Sequence, residues 1–175
     1  MGSSTTRSRK IATAVPAAAL LATATLAAAA EPLPFHARLS RAQDNALVAQ
    51  ALRGAARRLR DPECRAVLSD FADASGRTLL EALAAEGAEA ADFLGHMYFY
   101  EGSEFHCRRR PLLAYTSPGS RAVFVCSARF REVSVRNSAA AEAAMIHEAL
   151  HALGLRENPP TWQQITDGVL ARCRH

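Results

Sequence analysis

The stretch that most tightly constrains the fold is a helix predicted near the C-terminal end of the chain. Asn137 or Ser138 has the side chain needed to cap its first turn, and residues 139–153 are alanine-rich and free of helix breakers. Gly154 is the residue type that commonly ends a helix, and Pro159-Pro160 prevents its continuation. One side of this helix is apolar, with Ile146, Leu150 and Leu153. We therefore expect this face to pack against the core, which buries the helix.

The same helix carries two histidines, His147 and His151, four residues apart. At that spacing the two imidazoles stand one helical turn above each other, which suits two corners of a tetrahedral zinc site. Glu148 lies one position along, where it reaches a water molecule at the metal without ligating the metal itself. Zinc lowers the pKa of such a water to about 7, and Glu148 would accept its proton as the water attacks a carbonyl. The spacing therefore predicts one catalytic zinc ion per chain, with Glu148 as general base.

This motif, HEALH at residues 147–151, resembles the HExxH motif of the zincin metallopeptidases. Residues 147–157 are similar to the longer metzincin motif HExxHxxGxxH, with Gly154 at the turn and Glu157 at the third-ligand position. The chain departs from that branch because it has glutamate in place of the third histidine and no methionine after the motif. The resemblance implies a small zincin-like α+β domain of unassigned branch. In such a domain, helices and a short antiparallel sheet pack on the helix that carries the motif.

The third zinc ligand has more than one candidate. Glu157 has the familiar spacing, and a carboxylate is a normal zinc ligand. Asp167 is the main alternative, because some zincins take their third ligand from a later helix, although the GTxxD pattern of the aspzincins is absent. His175, His106 and water remain further alternatives.

Helices and strands are both expected elsewhere in the chain. Amphipathic spacing predicts helices at residues 39–60, at 64–71, at 75–87 with Ser75 as cap, and from Thr161 onward, where Thr161 and Gln164 form a capping box. Strands are predicted at residues 96–100, 111–116 and 121–127. The last two would form a hairpin around a type II turn at residues 117–120, where Pro118 and Gly119 have the required positions.

Zincins bind the substrate backbone along an antiparallel edge strand above the active helix, and the resemblance implies the same here. Residues 121–126, which precede the helix, are the candidate for that strand. A peptide would add to it through main-chain hydrogen bonds.

The first 30 residues have the three parts of a secretory signal peptide. Arg7, Arg9 and Lys10 form a basic start, residues 11–26 are apolar, and the small residues 27–30 favour cleavage after Ala30. Residues 31–175 would then form a single domain. The chain has 21 basic and 17 acidic residues, and cleavage removes three of the basic ones, which leaves a net charge of +1. This near-neutral charge predicts neither nucleic-acid binding nor stable membrane insertion after signal cleavage.

Four cysteines remain in the mature chain, with no Cys-x-x-Cys pair: Cys64, Cys107, Cys126 and Cys173. An even number in an exported chain predicts two disulfides, for which three pairings exist. We favour Cys107–Cys126, which would close the hairpin region, and Cys64–Cys173, which would tie the C-terminus to an early helix.

The function predicted from these features is that of an exported, monomeric, zinc-dependent peptidase that acts on a peptide or protein substrate in the periplasm or the medium. The alternative is a non-catalytic zinc-binding envelope or interaction protein of the same fold, although a purely structural site has no use for Glu148. Hydrolysis of something other than peptide is a third hypothesis. A ribosomal-RNA nuclease family has a similar helix, but its motif, HGxLHLxGxDH, lacks the glutamate.

Overall fold

The computed structural model describes residues 1–2, 34–109 and 112–174, with Arg109 described in its backbone only. The predicted signal peptide, residues 1–30, lies outside the described residues apart from residues 1 and 2. From Pro34 onward, the described chain forms one compact α+β unit. None of the described helices is long and apolar enough to cross a bilayer.

Short strands with alternating side chains form a single sheet among the described residues. The strands are β1 (His36–Arg38), β2 (Tyr98–Glu101), β3 (Ala114–Tyr115) and β4 (Ala122–Val125). In β2, Phe99 is buried while Tyr98 faces outward. In β4, Val123 and Val125 are buried on either side of the exposed Phe124. This period of two places apolar side chains on the face that packs against the core.

The sheet is mixed, in the order β1-β2-β4-β3. β2 pairs in parallel with both β1 and β4, and only β3 and β4 are antiparallel. The predicted hairpin is therefore confirmed, but the prediction of an antiparallel sheet is wrong for the other two pairs. Parallel neighbours need long crossover connections, and helical segments after β1 and after β2 supply them.

The hairpin turn has the predicted residues in the expected positions. Gly119 has a φ of 80°, and the backbone N–H of Ser120 donates to the carbonyl of Ser117 at 2.9 Å. Both are features of a type II turn.

The helices contact the sheet and pack against one another. They are α1 (Ala42–Arg60), α2 (Pro62–Arg65), α3 (Val67–Asp70), α4 (Leu79–Ala85), α5 (Ala90–Phe93), α6 (Glu104–Arg109), α7 (Ser127–Arg136), α8 (Ser138–Ala152) and α9 (Trp162–Arg172). A 3-10 turn at Leu94–His96 precedes β2, so that His96 is not in the strand predicted for it. The single helix predicted at residues 64–71 is divided into α2 and α3. The strand β1 and the helices α5, α6 and α7 were not predicted, because these elements are short or rich in charged residues.

Capping boxes mark the first turns of α4 and α9. α4 is capped by Thr78, whose side chain and that of Glu81 form a capping box, and the prediction of Ser75 as its cap is wrong. Ser75 instead donates to the carboxylate of Asp73 in the preceding turn. At α9, the predicted capping box of Thr161 and Gln164 is confirmed.

Helix α8 lies at the centre of the unit, in contact with α1, α7, α9 and β3. Met145, Ile146 and Leu150 are completely buried along it. Asn137 caps its first turn by accepting a hydrogen bond from the backbone N–H of Ala140 at 3.1 Å. The burial predicted for this helix is confirmed.

Both favoured disulfides are present. Cys64–Cys173 joins α2 to the end of α9, and Cys107–Cys126 joins α6 to the residue before α7. The first bridge holds α9 beside the early helices, and the second holds α6 beside the sheet.

Candidate metal centre

One face of α8 forms the floor of a cavity of about 750 Å³. The walls come from the segment around β3, from α6 and from α9. Most of the lining is apolar and comprises Phe105, Leu112, Leu113, Ala114, Pro118, Ala140, Ala143, Ala144, Trp162 and Leu170. The polar lining includes His147, Glu148, His151 and Glu157. A largely apolar cleft with a few convergent polar groups is the usual form of a small-molecule or substrate site.

The end of α8 orients His151. The chain leaves the helix through Gly154, which has a φ of 110°, and Leu155 N–H donates to the carbonyl of Leu150 at 3.1 Å. This is the Schellman arrangement that glycine favours after a helix. It brings the carbonyl oxygen of Leu155 to 2.8 Å from Nδ1 of the buried His151. A carbonyl only accepts, so Nδ1 donates in this bond, and Nε2 is the ring nitrogen that remains to bind a metal.

Helix α9 orients His147. Nδ1 of this ring lies 3.1 Å from Oγ1 of Thr166, and its Nε2 lies 3.0 Å from Nε2 of His151. Burial, together with the neighbouring His151, lowers the pKa of His147 to about 3. The imidazole is therefore neutral near pH 7, which is the form that binds a metal.

The carboxylate of Glu157 lies close to the two histidines. Its Oε1 lies 3.5 Å from Nε2 of His151, and the ligand atoms of His147, His151 and Glu157 all lie within 4.8 Å of one another. Glu157 comes shortly after the turn at Gly154 in the chain, and its side chain is 34% exposed. The three residues proposed as ligands from the sequence thus lie together.

The alternative third ligands do not join this cluster. Asp167 is exposed on α9, where its carboxylate accepts a hydrogen bond from Gln163 at 2.8 Å, and it does not line the cavity. His106 lines the cavity but is bonded to Ser103 at 2.8 Å between Nδ1 and Oγ. His175 lies outside the described residues.

Glu148 is a buried carboxylate, 5% exposed, at the same floor of the cavity. Burial and the charge of Glu157 raise the pKa of Glu148 to about 8, and a hydrogen bond from the backbone of Thr116 acts in the opposite direction. Its Oε2 has no hydrogen-bond partner among the described residues. A divalent cation at the adjacent cluster would offset the cost of this buried, unpaired oxygen, so the residues present fit a metal ion.

The strand at the antiparallel edge of the sheet is not the one predicted from the sequence. β4 is flanked by β2 and β3, so residues 121–126 do not form an edge, and that prediction is wrong. β3 is the antiparallel edge strand, and Ala114 and Tyr115 both line the cavity. The N–H of Gly119, in the hairpin turn, donates to the carbonyl of His151 at 2.9 Å and so ties the hairpin to the end of α8.

Sequence reasoning missed the groups that support the cluster. The Leu155 carbonyl follows from the glycine turn, so Gly154 was a usable signal. Thr166 and the Thr116 backbone come from distant parts of the chain, and no local pattern marks them.

Comparisons with protein families, with curated protein sequences and with solved structures gave no match to this chain.

Proposed function

We propose that this chain is an exported, zinc-dependent metallopeptidase of the zincin type. His147, His151 and Glu157 would hold the metal, and Glu148 would be the general base. The observation that carries the proposal is the convergence of these four side chains at the floor of one cleft, beside β3, an edge strand of the sheet that the described residues form.

The donor set agrees with zinc. Two imidazole nitrogens and one carboxylate oxygen are the ligands of many catalytic zinc sites, which keep a further position for water or substrate. Bound there, zinc would polarise a substrate carbonyl and make a water molecule acidic enough to react near neutral pH.

Glu148 has the position of a proton acceptor, and a cation held by the adjacent residues would lower the pKa that burial raises. It is adjacent in sequence to His147, its Oε2 is unpartnered among the described residues, and a Thr116 backbone hydrogen bond supports the carboxylate. The carboxylate would take the proton from the attacking water and pass it to the departing amine.

The edge of β3 supports a peptide as substrate. β3 pairs with β4 at the edge of the sheet, and Ala114 and Tyr115 of β3 both line the cavity. An extended peptide would add there as a further strand, which brings a scissile carbonyl over the floor formed by α8.

The disulfides support export as part of the proposal. Two bridges, Cys64–Cys173 and Cys107–Cys126, persist in an oxidising compartment and rarely in the cytosol. The basic and apolar N-terminal residues provide the corresponding signal in the sequence.

The test combines metal content with proteolysis. The mature chain is purified, its zinc per chain is measured, and cleavage of casein is followed for the zinc-loaded and the metal-stripped protein. We expect one zinc per chain, cleavage only when zinc is present, and no cleavage by Glu148→Gln. Glu132→Gln, an exposed glutamate on α7, is the matched control and should cleave as the wild type does.

Two results would contradict the proposal. Zinc retained with no cleavage of several unstructured proteins would favour the non-catalytic zinc-binding protein. Cleavage that survives metal removal would show that the activity does not come from this site.

A further inference from the structure

Helix α6 is a short surface helix that forms part of the wall of the cleft. Phe105 and His106 of this helix line the cavity, and both are exposed. Among the α6 residues whose side chains the structure describes, only Cys107 is not exposed. A helix of six residues is too short to be stable by itself in water. The position of α6 therefore depends on what attaches it to the rest of the fold.

The disulfide between Cys107 and Cys126 attaches α6 covalently. Cys126 is 3% exposed, comes directly after β4, and its backbone N–H donates to the carbonyl of Leu113 at 2.9 Å. Gly102, between β2 and α6, leaves room for the bridge, since an added Cβ there would lie 2.9 Å from Sγ of Cys107. One end of the bridge is thus buried in the fold, and the other end carries α6.

Non-covalent contacts also reach α6. The ring of His106 stacks on that of Tyr115 at 5.0 Å, and the backbone N–H of Ser103, just before α6, donates to Oη of Tyr115 at 3.1 Å. Nη1 of Arg129 donates to the carbonyl of Cys107 at 3.4 Å. Hydrogen bonds of this kind exchange with bonds to water and add little net stability, whereas a disulfide does not exchange in this way. The bridge is therefore the strongest of these attachments.

We propose that α6 is a substrate-binding wall of the cleft and that the Cys107–Cys126 disulfide positions it. The cleft is then complete only after these two cysteines are oxidised. Phe105 is 59% exposed at the cavity, and covering its ring with an apolar side chain of a bound peptide is favourable. The inference rests on the peptide substrate of the proposed function and adds a condition under which the site binds that substrate.

The proposal couples substrate binding to export. In a reducing cytosol both cysteines would be thiols, and α6 would be held by non-covalent contacts alone. In an oxidising compartment, a partner protein's disulfide takes up the two electrons and two protons that the thiols lose, through a mixed disulfide, and is reduced to two thiols. The bridge forms and fixes α6. The residues proposed to bind zinc and to act as base all lie outside α6, so zinc binding does not require this step.

The first test removes the exposed ring that would contact the substrate. Phe105→Ala is compared with Val135→Ala, because Val135 is 75% exposed on α7 and does not line the cavity. We expect Phe105→Ala to raise KM for casein about tenfold and to keep kcat within about threefold, because it removes binding area and no reacting group. Val135→Ala should leave both constants unchanged. An unchanged KM in F105A would overturn the inference.

The second test removes the bridge by the double substitution Cys107→Ser and Cys126→Ser. KM should rise at least as much as in Phe105→Ala, while zinc affinity and kcat stay within about threefold of the wild type. Trypsin should cut after Arg108 in α6 faster than in the wild type, because α6 leaves its helical position more often. A wild-type KM in the double variant would overturn the inference.

Mild reduction of the wild type with a phosphine gives the same comparison if the double variant fails to fold. Cys64 and Cys173 are both buried, whereas Cys107 is partly exposed, so the bridge to Cys126 should open first, and alkylation identifies the freed thiols. KM should rise on reduction and return on reoxidation. A KM that does not change on reduction would overturn the inference.

The affinity of zinc-loaded Glu148→Gln for casein separates this inference from the proposed function. Binding that weakens about tenfold when Phe105→Ala is added, in a protein whose wild type cleaves nothing, would contradict the proposed function alone. Cleavage by the wild type, with casein binding that neither Phe105→Ala nor loss of the bridge changes, would contradict this inference alone. Neither binding nor cleavage of casein would contradict both.

Discussion

The carbonyl oxygen of Leu155 accepts a hydrogen bond from Nδ1 of His151 at 2.8 Å, so the turn that ends helix α8 also orients one of the two rings proposed to bind the metal. Helix termination and site geometry therefore depend on the same few residues. The glycine between these two residues in sequence, Gly154, provides the first prediction.

Gly154→Ala should weaken both the fold and the metal site. Gly154 has a φ of 110°, and an added Cβ would lie 3.2 Å from Cβ of Asp73. We expect the free energy of unfolding to fall by about 1–2 kcal/mol and zinc affinity to fall with it, because the Leu155 carbonyl shifts. Chemical denaturation and zinc competition measure the two effects.

Gly87→Ala is the matched control for this prediction. Gly87 also has a positive φ, 65°, but nothing lies within 4 Å of its added Cβ. It should lose a similar amount of stability and keep full zinc affinity. If both variants bind zinc as the wild type does, the Leu155 carbonyl does not orient His151 for the metal.

Removal of Glu157 should discriminate between the two carboxylates considered as third ligand. Glu157 lies 3.5 Å from His151, whereas Asp167 is exposed and bonded to Gln163. We expect Glu157→Ala to weaken zinc binding by more than the roughly 10–100-fold that loss of an outer hydrogen bond costs. Asp167→Ala should bind zinc as the wild type does. If Asp167→Ala weakens zinc binding more than Glu157→Ala does, the third ligand lies on α9.

The parts of the fold and of the candidate site that depend on residues close together in the chain could be predicted from the sequence. The cap at Asn137, the glycine end of α8 and the capping box at Thr161 each involve residues a few positions apart. The wrong predictions concern long-range pairing. Alternating residues mark β4 as a strand, but its interior position depends on β2 and β3 packing on either side, which no local pattern records.

Gly54→Ala should destabilise the protein although alanine is the better helix former. A Cβ at Gly54, inside α1, would overlap the carboxyl carbon of Glu142 on α8, which is paired with Arg58 at 2.6 Å. Displacing this ion pair should destabilise the protein by more than the better helix propensity of alanine stabilises it. We expect the free energy of unfolding to fall by about 1–3 kcal/mol. Urea denaturation measures it, and a gain in stability would show that propensity dominates and that α1 and α8 have room to adjust.

The two disulfides should differ in their contribution to stability. Cys64 and Cys173 are 109 residues apart, and Cys107 and Cys126 are 19 apart. Because a longer closed loop restricts the unfolded chain more, replacing the first pair by serine should cost about 4–5 kcal/mol and the second about 3 kcal/mol. Thermal unfolding of the two double variants shows which disulfide contributes more stability. A greater loss of stability from the disulfide with the shorter loop would contradict the entropic argument.

The most direct measurement is the ratio of casein cleavage rates for zinc-loaded Glu148→Gln and zinc-loaded Glu132→Gln. Glu148 lies buried at the floor of the cleft with an unpartnered oxygen, whereas Glu132 is exposed on α7. Loss of a general base should lower the rate by about 10²–10⁴-fold while the zinc content of the two proteins stays equal. Equal rates at equal zinc content would contradict the assignment of Glu148 as the general base and, with it, the proposed peptidase.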